Sequence, residues 1–128
     1  MFVRWKRRPL RRRRGWSPPD EHALYAVVVE NYRVDGHPKQ RVVRYLGAIK
    51  EGQLIYPLST DRFWRDVDAR LAELDLDAEL RAAIEMKLAA TVPRPDPAVV
   101  EQQRREADAW AASVVSLAQN LGRRRGRA

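Results

Sequence analysis

The sequence predicts an α+β fold, an antiparallel β-hairpin followed by three α-helices, with a basic arm at each end. Three observations predict it. Two runs rich in β-branched and aromatic residues flank an Asp35-Gly36 pair. Three later stretches repeat apolar residues at three- and four-residue spacing. Basic residues crowd both ends and leave an acidic middle.

The first strand is expected from Leu24 to Val34, LYAVVVENYRV, and the second from Lys39 to Ile49, KQRVVRYLGAI, so the hairpin spans 24–49. Asp35-Gly36 is a tight-turn signal, because glycine accepts positive φ without steric cost. Pro38 falls just after the turn, where it is tolerated, and Gly47 marks a bulge or the strand's end. Leu54-Ile55-Tyr56 offers a short third strand.

The first helix is expected over about 60–75, capped by Ser59 or Thr60, with Asp61 at its positive N-terminal end. Phe63, Trp64, Val67, Leu71 and Leu74 line one of its faces. Asp77 caps a second helix over 78–92, where Leu80, Ile84, Leu88 and Val92 recur every four residues. Pro93 and Pro95 stop it, and Asp96-Pro97 is a good cap and first-turn pair for a third helix over 97–120, with Gly122 as its stop. Val100, Ala107, Trp110, Val114, Leu117 and Leu121 form a heptad seam with Gln103 as its polar position. That seam serves either as core or as the contact for a homodimer or a protein partner through helix 97–120.

A chain of 128 residues with 45% hydrophobic residues suits one folded domain. The absence of cysteine excludes disulfides and thiolate metal sites, and two histidines leave little for a metal centre. No apolar run approaches the roughly 20 residues of a membrane span, and no apolar segment follows the charged N-terminus. The expectation is a cytoplasmic protein with no membrane partner and no cofactor.

Charge divides the chain into an arm over 1–16, a body over 17–121 and a tail over 122–128. The arm holds Arg4, Lys6, Arg7, Arg8, Arg11, Arg12, Arg13 and Arg14 with no acid, and Ser17-Pro18-Pro19-Asp20 separates it from the body. The tail holds Arg123, Arg124, Arg125 and Arg127, again with no acid. All 17 acids lie in the body, so the ends carry the positive charge and the body is net negative. Such cations neutralise phosphates and release condensed counterions. Phe2, Trp5 and Trp16, interleaved with them, are candidates for stacking on bases. Arg33, Lys39, Arg41 and Arg44 place further charge on the hairpin. Two readings stand for them: a ribbon entering a major groove, or the solvent side of a half-buried sheet. Removing residues 1–16 is expected, on this reading, to leave a folded body that binds weakly.

Catalysis finds no support. Asp61, Asp66 and Asp68 do not share a helix face. Asp61–Arg65, Arg81–Glu85, Glu101–Arg105 and Arg104–Asp108 are ordinary four-residue pairs. His22 and His37 have no nucleophile arranged beside them, and there is no glycine-rich phosphate loop.

MFVRWK at the start and YAVVVENYRVDGHPKQRVVRYLG after it resemble the N-terminal region of DDE-type insertion-sequence transposases. The matching residues are Met1 to Arg4, Val28 to Arg33, Gly36, Lys39 to Val43 and Leu46-Gly47, within residues 1–47; the arginines from Arg7 to Arg14 depart from the pattern. The resemblance implies a DNA-associated N-terminal module. It implies no transposition, because the family's RNase H-like catalytic domain needs alternating strands and helices, whereas the rest of this chain reads as three amphipathic helices. The expected function is therefore non-enzymatic binding of DNA or RNA, as a transposase-like module or a subunit of a nucleoprotein complex. The alternative is an adaptor whose basic arms bind an acidic protein.

Overall fold

The computed structural model describes residues 1–10 and 21–125, the last three of these by backbone alone. The elements are β1 (Phe2–Pro9), β2 (His22–Val34), β3 (His37–Lys50), α1 (Pro57–Ala72), α2 (Ala78–Thr91) and α3 (Pro97–Arg125), with a 3-10 turn at Glu51–Gln53. This is the α+β class the sequence predicts. The chain divides into two units, Met1–Pro95 and Asp96–Ala128.

The hairpin forms as its turn residues demand. Asp35 has φ 52° and Gly36 φ 79°, both left-handed as a two-residue type I′ turn requires. Two bulges interrupt the β2–β3 ladder. Leu46 has no partner between the pairs Ala26↔Gly47 and Val27↔Tyr45, and Val43 has none between Val28↔Arg44 and Val29↔Val42. The bulge expected near Gly47 thus falls on its neighbour Leu46, which is buried.

The third strand lies where the sequence reading put a free arm. Phe2–Pro9 pairs antiparallel with β2, giving the order β1-β2-β3, with Val3 opposite Val28 and Trp5 opposite Ala26. The cations obscure a period-two pattern in which Val3 and Trp5 point to the core. The backbone N–H of Leu10 donates to the Glu21 carbonyl at 3.0 Å, so the connection holding Arg11–Arg14 starts and ends at adjacent points. Leu54–Tyr56 is not a strand: Leu54 is helical, with φ −61° and ψ −26°, as the C-terminal residue of the 3-10 turn.

α1 begins at Pro57, ahead of the expected Ser59 or Thr60 cap. Proline suits the first helical position, where no N–H is needed. The Thr60 hydroxyl instead donates back to the Pro57 carbonyl at 3.1 Å. α2 has the expected cap, with the Leu80 N–H donating to Asp77 Oδ1 at 2.7 Å, and at the start of α3 Asp96 Oδ1 accepts from the Ala98 N–H at 2.9 Å. α3 does not stop at Gly122 but runs to Arg125. Arginines are good helix formers, and cations in the last turn oppose the helix dipole.

The core of the Met1–Pro95 unit runs from Val3 to Val92. The Phe63 ring stacks on Trp5 at 5.7 Å and meets Trp64 edge-on at 5.9 Å. Trp64 Nε1 donates to the Val92 carbonyl at 2.9 Å, and Arg94 lies 3.9 Å from the Trp64 ring centroid. Arg94 forks onto Asp68 at 3.0 and 2.9 Å, and that hydrogen bond raises its pKa further. Lys87 of α2 reaches the Val3 carbonyl of β1 at 2.7 Å.

Two outcomes follow from this packing. A chain lacking residues 1–10 loses Val3 and Trp5 from the core, and its cooperative thermal transition should disappear; a sharp transition at the original temperature would refute the role of β1. A Cβ on Gly47 would lie 3.3 Å from Phe63 Cδ2. Phe63 is held between two tryptophans, so Gly47→Ala should cost about 1–3 kcal/mol by overpacking, measurable by denaturant unfolding.

Candidate nucleic-acid interface

Strand alternation sorts the basic tract. In β1, Val3, Trp5 and Arg7 take one face of the sheet, and Arg4, Lys6 and Arg8 take the other. The outward row lies opposite Val27, Tyr25 and Ala23 of β2. Arg8 sits over the Tyr25 ring at 5.7 Å, and Arg4 Nη1 donates to Gln40 Oε1 at 3.1 Å. The same face of β2 continues through Val27, Val29, Asn31 and Arg33, and neither β1 nor β2 places an acid on it.

β1 ends at the pair Phe2↔Val29. Beyond it β2 and β3 continue as a two-stranded ribbon from Glu30 to Arg41, exposed throughout from Asn31 to Arg41. Asn31 lies opposite Gln40 and Arg33 opposite Pro38, on the face continuous with Arg4. The other ribbon face pairs Tyr32 with Lys39 and Glu30 with Arg41. There Arg41 forms an ion pair with Glu30 and lies 5.8 Å from the Tyr32 ring centroid.

Not every expected cation is available. Arg7 is ion-paired with Glu51, Arg41 with Glu30, and Arg44 with Glu73 at 2.6 Å. The Arg7 hydrogen bond holds the Glu51 carboxyl below its ordinary range. Arg4, Lys6, Arg8, Arg33 and Lys39 have no ion-paired carboxylate among the described residues. The three strands together hold nine cations and one acid, Glu30, whereas residues 57–91 hold eight acids and five cations.

The stacking candidates separate. Trp5 is partly buried: the strand's alternation turns it inward, where its ring stacks on Phe63 against the core and not toward the outward face. Phe2 is half-buried, with Lys87 Nζ 5.8 Å from its ring centroid. Trp16, Arg11, Arg12, Arg13, Arg14 and Arg127 lie outside the described residues, as do the side chains of Arg123, Arg124 and Arg125. Sequence reasoning missed Asn31 and Gln40, although a two-residue turn at Asp35-Gly36 fixes their register opposite one another. Among the described residues no three His, Asp or Glu side chains converge as metal ligands. No described helix is long and apolar enough to cross a membrane.

Residues 23–92 match the family described as IS1634 family transposase, N-terminal domain. The chain belongs to the IS1634 transposase family. The match runs from the start of β2 to Val92, the residue whose carbonyl accepts from Trp64. It bears out the resemblance to insertion-sequence transposases and extends it through α1 and α2. Those helices, read from sequence as lying beyond the family's pattern, are part of the IS1634 N-terminal domain. The domain's cationic β1 and long α3 lie outside the matched residues. No curated protein and no solved structure matches the chain.

The Arg7–Glu51 pair ties the end of β1 to the 3-10 turn after β3. Because the Glu51 pKa is depressed, its contribution to stability is complete above the ordinary carboxylate range. It is lost as pH falls through the lowered one. Glu51→Gln should therefore melt below the parent chain at neutral pH, with the gap closing in acid; a gap constant down to strongly acidic buffer would refute the pairing.

Proposed function

We propose that this domain binds duplex DNA through the outward face of its sheet, without catalysing a reaction itself. The observation that carries the reading is the acid-free row of Arg4, Lys6 and Arg8, set on a rigid edge strand and continued by Arg33 on the ribbon. Alternate residues on a strand are spaced about 7 Å apart, so the three β1 cations form a fixed array along a phosphate backbone. The acidic helices repel that backbone and orient the domain sheet-first. Arg11–Arg14 and the C-terminal arginines add contacts of the same kind.

The ribbon supplies the reading of bases. Two strands about 4.8 Å apart fit a major groove about 12 Å wide. The Asn31 and Gln40 amides lie side by side there with Arg33 two rungs nearer the tip. Amides suit the adenine edge and arginine the guanine edge. Arg4 holds Gln40 through its Oε1, leaving the amide N–H groups to donate.

A triple Arg4→Ala, Lys6→Ala, Arg8→Ala variant should remain folded, since none of the three lies in the core. The slope of log affinity against log salt on a labelled duplex should flatten by about 0.9 per lost contact, or roughly 2–3 in all. Arg62→Ala with Arg65→Ala on α1 should leave the slope unchanged. A folded triple variant with the parent slope would sink the proposal, equal binding to a structured RNA would remove the duplex-DNA assignment, and failure to bind either nucleic acid would favour an acidic protein partner. On a site selected from random sequence, Asn31→Ala or Gln40→Ala should lose about 1–3 kcal/mol while binding to unrelated duplex is kept.

A further inference from the structure

We infer that α3 pairs antiparallel with α3 of a second copy of this chain, through the stripe centred on Trp110. The helix spans Pro97–Arg125, 29 residues, or about 44 Å at 1.5 Å per residue. Beyond its first turn its large apolar side chains face solvent: Trp110 is 70% exposed, Leu117 62% and Leu121 54%. They fall on one heptad seam with Ala107 and Val114. The core cluster from Val3 to Val92 contains none of these side chains, and of the seam only Val100, in the helix's first turn, is buried. A contiguous exposed apolar stripe on a long helix marks an association surface.

The sequence's charge along the helix selects both occupant and direction. Its first half holds Glu101, Glu106 and Asp108 against Arg104 and Arg105, a net charge of −1, whereas its second half holds no acid and ends in three consecutive arginines. Parallel pairing sets the two arginine ends side by side. Antiparallel pairing sets each beside the net-negative half of the other copy and opposes the helix dipoles. It also matches side-chain size. With the two-fold axis beside Ala112, Trp110 meets Val114 of the second copy, and Leu117 covers the small Ala107 of the second copy. The same self-complementary surface serves both copies, as a two-fold interface requires.

The full chain, freed of nucleic acid, should show the mass of a dimer by light scattering at micromolar concentrations. Trp110→Ala should weaken self-association about tenfold or more, the scale of a buried aromatic anchor, and leave the thermal transition of the Met1–Pro95 core in place. Because the chain has no cysteine, Asn120→Cys takes a single nitroxide label, which gives the direction independently of Trp110. Antiparallel helices separate the two labels by about 24 Å along the axis, whereas parallel helices set them side by side about 10 Å apart. A dimer with separated labels, weakened by Trp110→Ala, supports the inference. A monomer at every concentration, a dimer indifferent to Trp110→Ala, or labels side by side would overturn it.

Discussion

The approach of α1 to the sheet depends on β3 presenting no side chain at Gly47. Phe63 occupies that space, with ring atoms 3.3 and 3.4 Å from where a Cβ would stand. From there it stacks on Trp5 of β1 and meets Trp64 edge-on. Three segments distant in sequence therefore meet at one ring. The bulge at Leu46, next to the glycine, adds a buried aliphatic side chain to the same core. Trp64 carries the contact onward to the Val92 carbonyl and, through Arg94, to Asp68, which fixes the segment leaving α2.

That packing also builds the candidate interface. Val3 and Trp5 are held in the core, and in a strand their neighbours must point the other way. Arg4, Lys6 and Arg8 are outward because Val3 and Trp5 are inward. A cluster of cations this dense repels itself, and the opposing forces are visible in the structure: the β2 ladder, the Trp5–Phe63 stack, the Lys87 contact to the Val3 carbonyl and the Arg7–Glu51 pair. Fold and charge pattern are thus one device. The inward half of the alternation carries stability, and the outward half carries a one-sided field.

The parts of this arrangement legible in the sequence are those decided locally. Asp35-Gly36 determines its own turn, Asp77 and Asp96 cap the helices they precede, and the spacing of Phe63, Trp64, Val67 and Leu71 gives the buried face of α1. What escaped depends on partners far away. The alternation of β1 is hidden because its outward positions are all basic, and its pairing strand begins beyond Pro18-Pro19. Trp5 therefore reads in the sequence as a stacking candidate, whereas in the fold it is partly buried against Phe63. Pro57 overrode the threonine cap, since a proline already suited to the first turn leaves Thr60 inside the helix. The interface was half legible. Its cations are plain in the sequence, but which are committed to Glu30, Glu51 and Glu73 depends on tertiary contacts.

The difference between a tail and a strand changes what the cations do. Cations on a flexible tail gain affinity by counterion release but lose chain entropy on binding, and they carry no register. Cations on β1 are ordered before any contact forms, at a spacing set by the strand and a direction set by the sheet. Arg4 couples that array to the ribbon through its hydrogen bond to Gln40. That ordered array follows from two inward residues, Val3 and Trp5, in an otherwise basic tract.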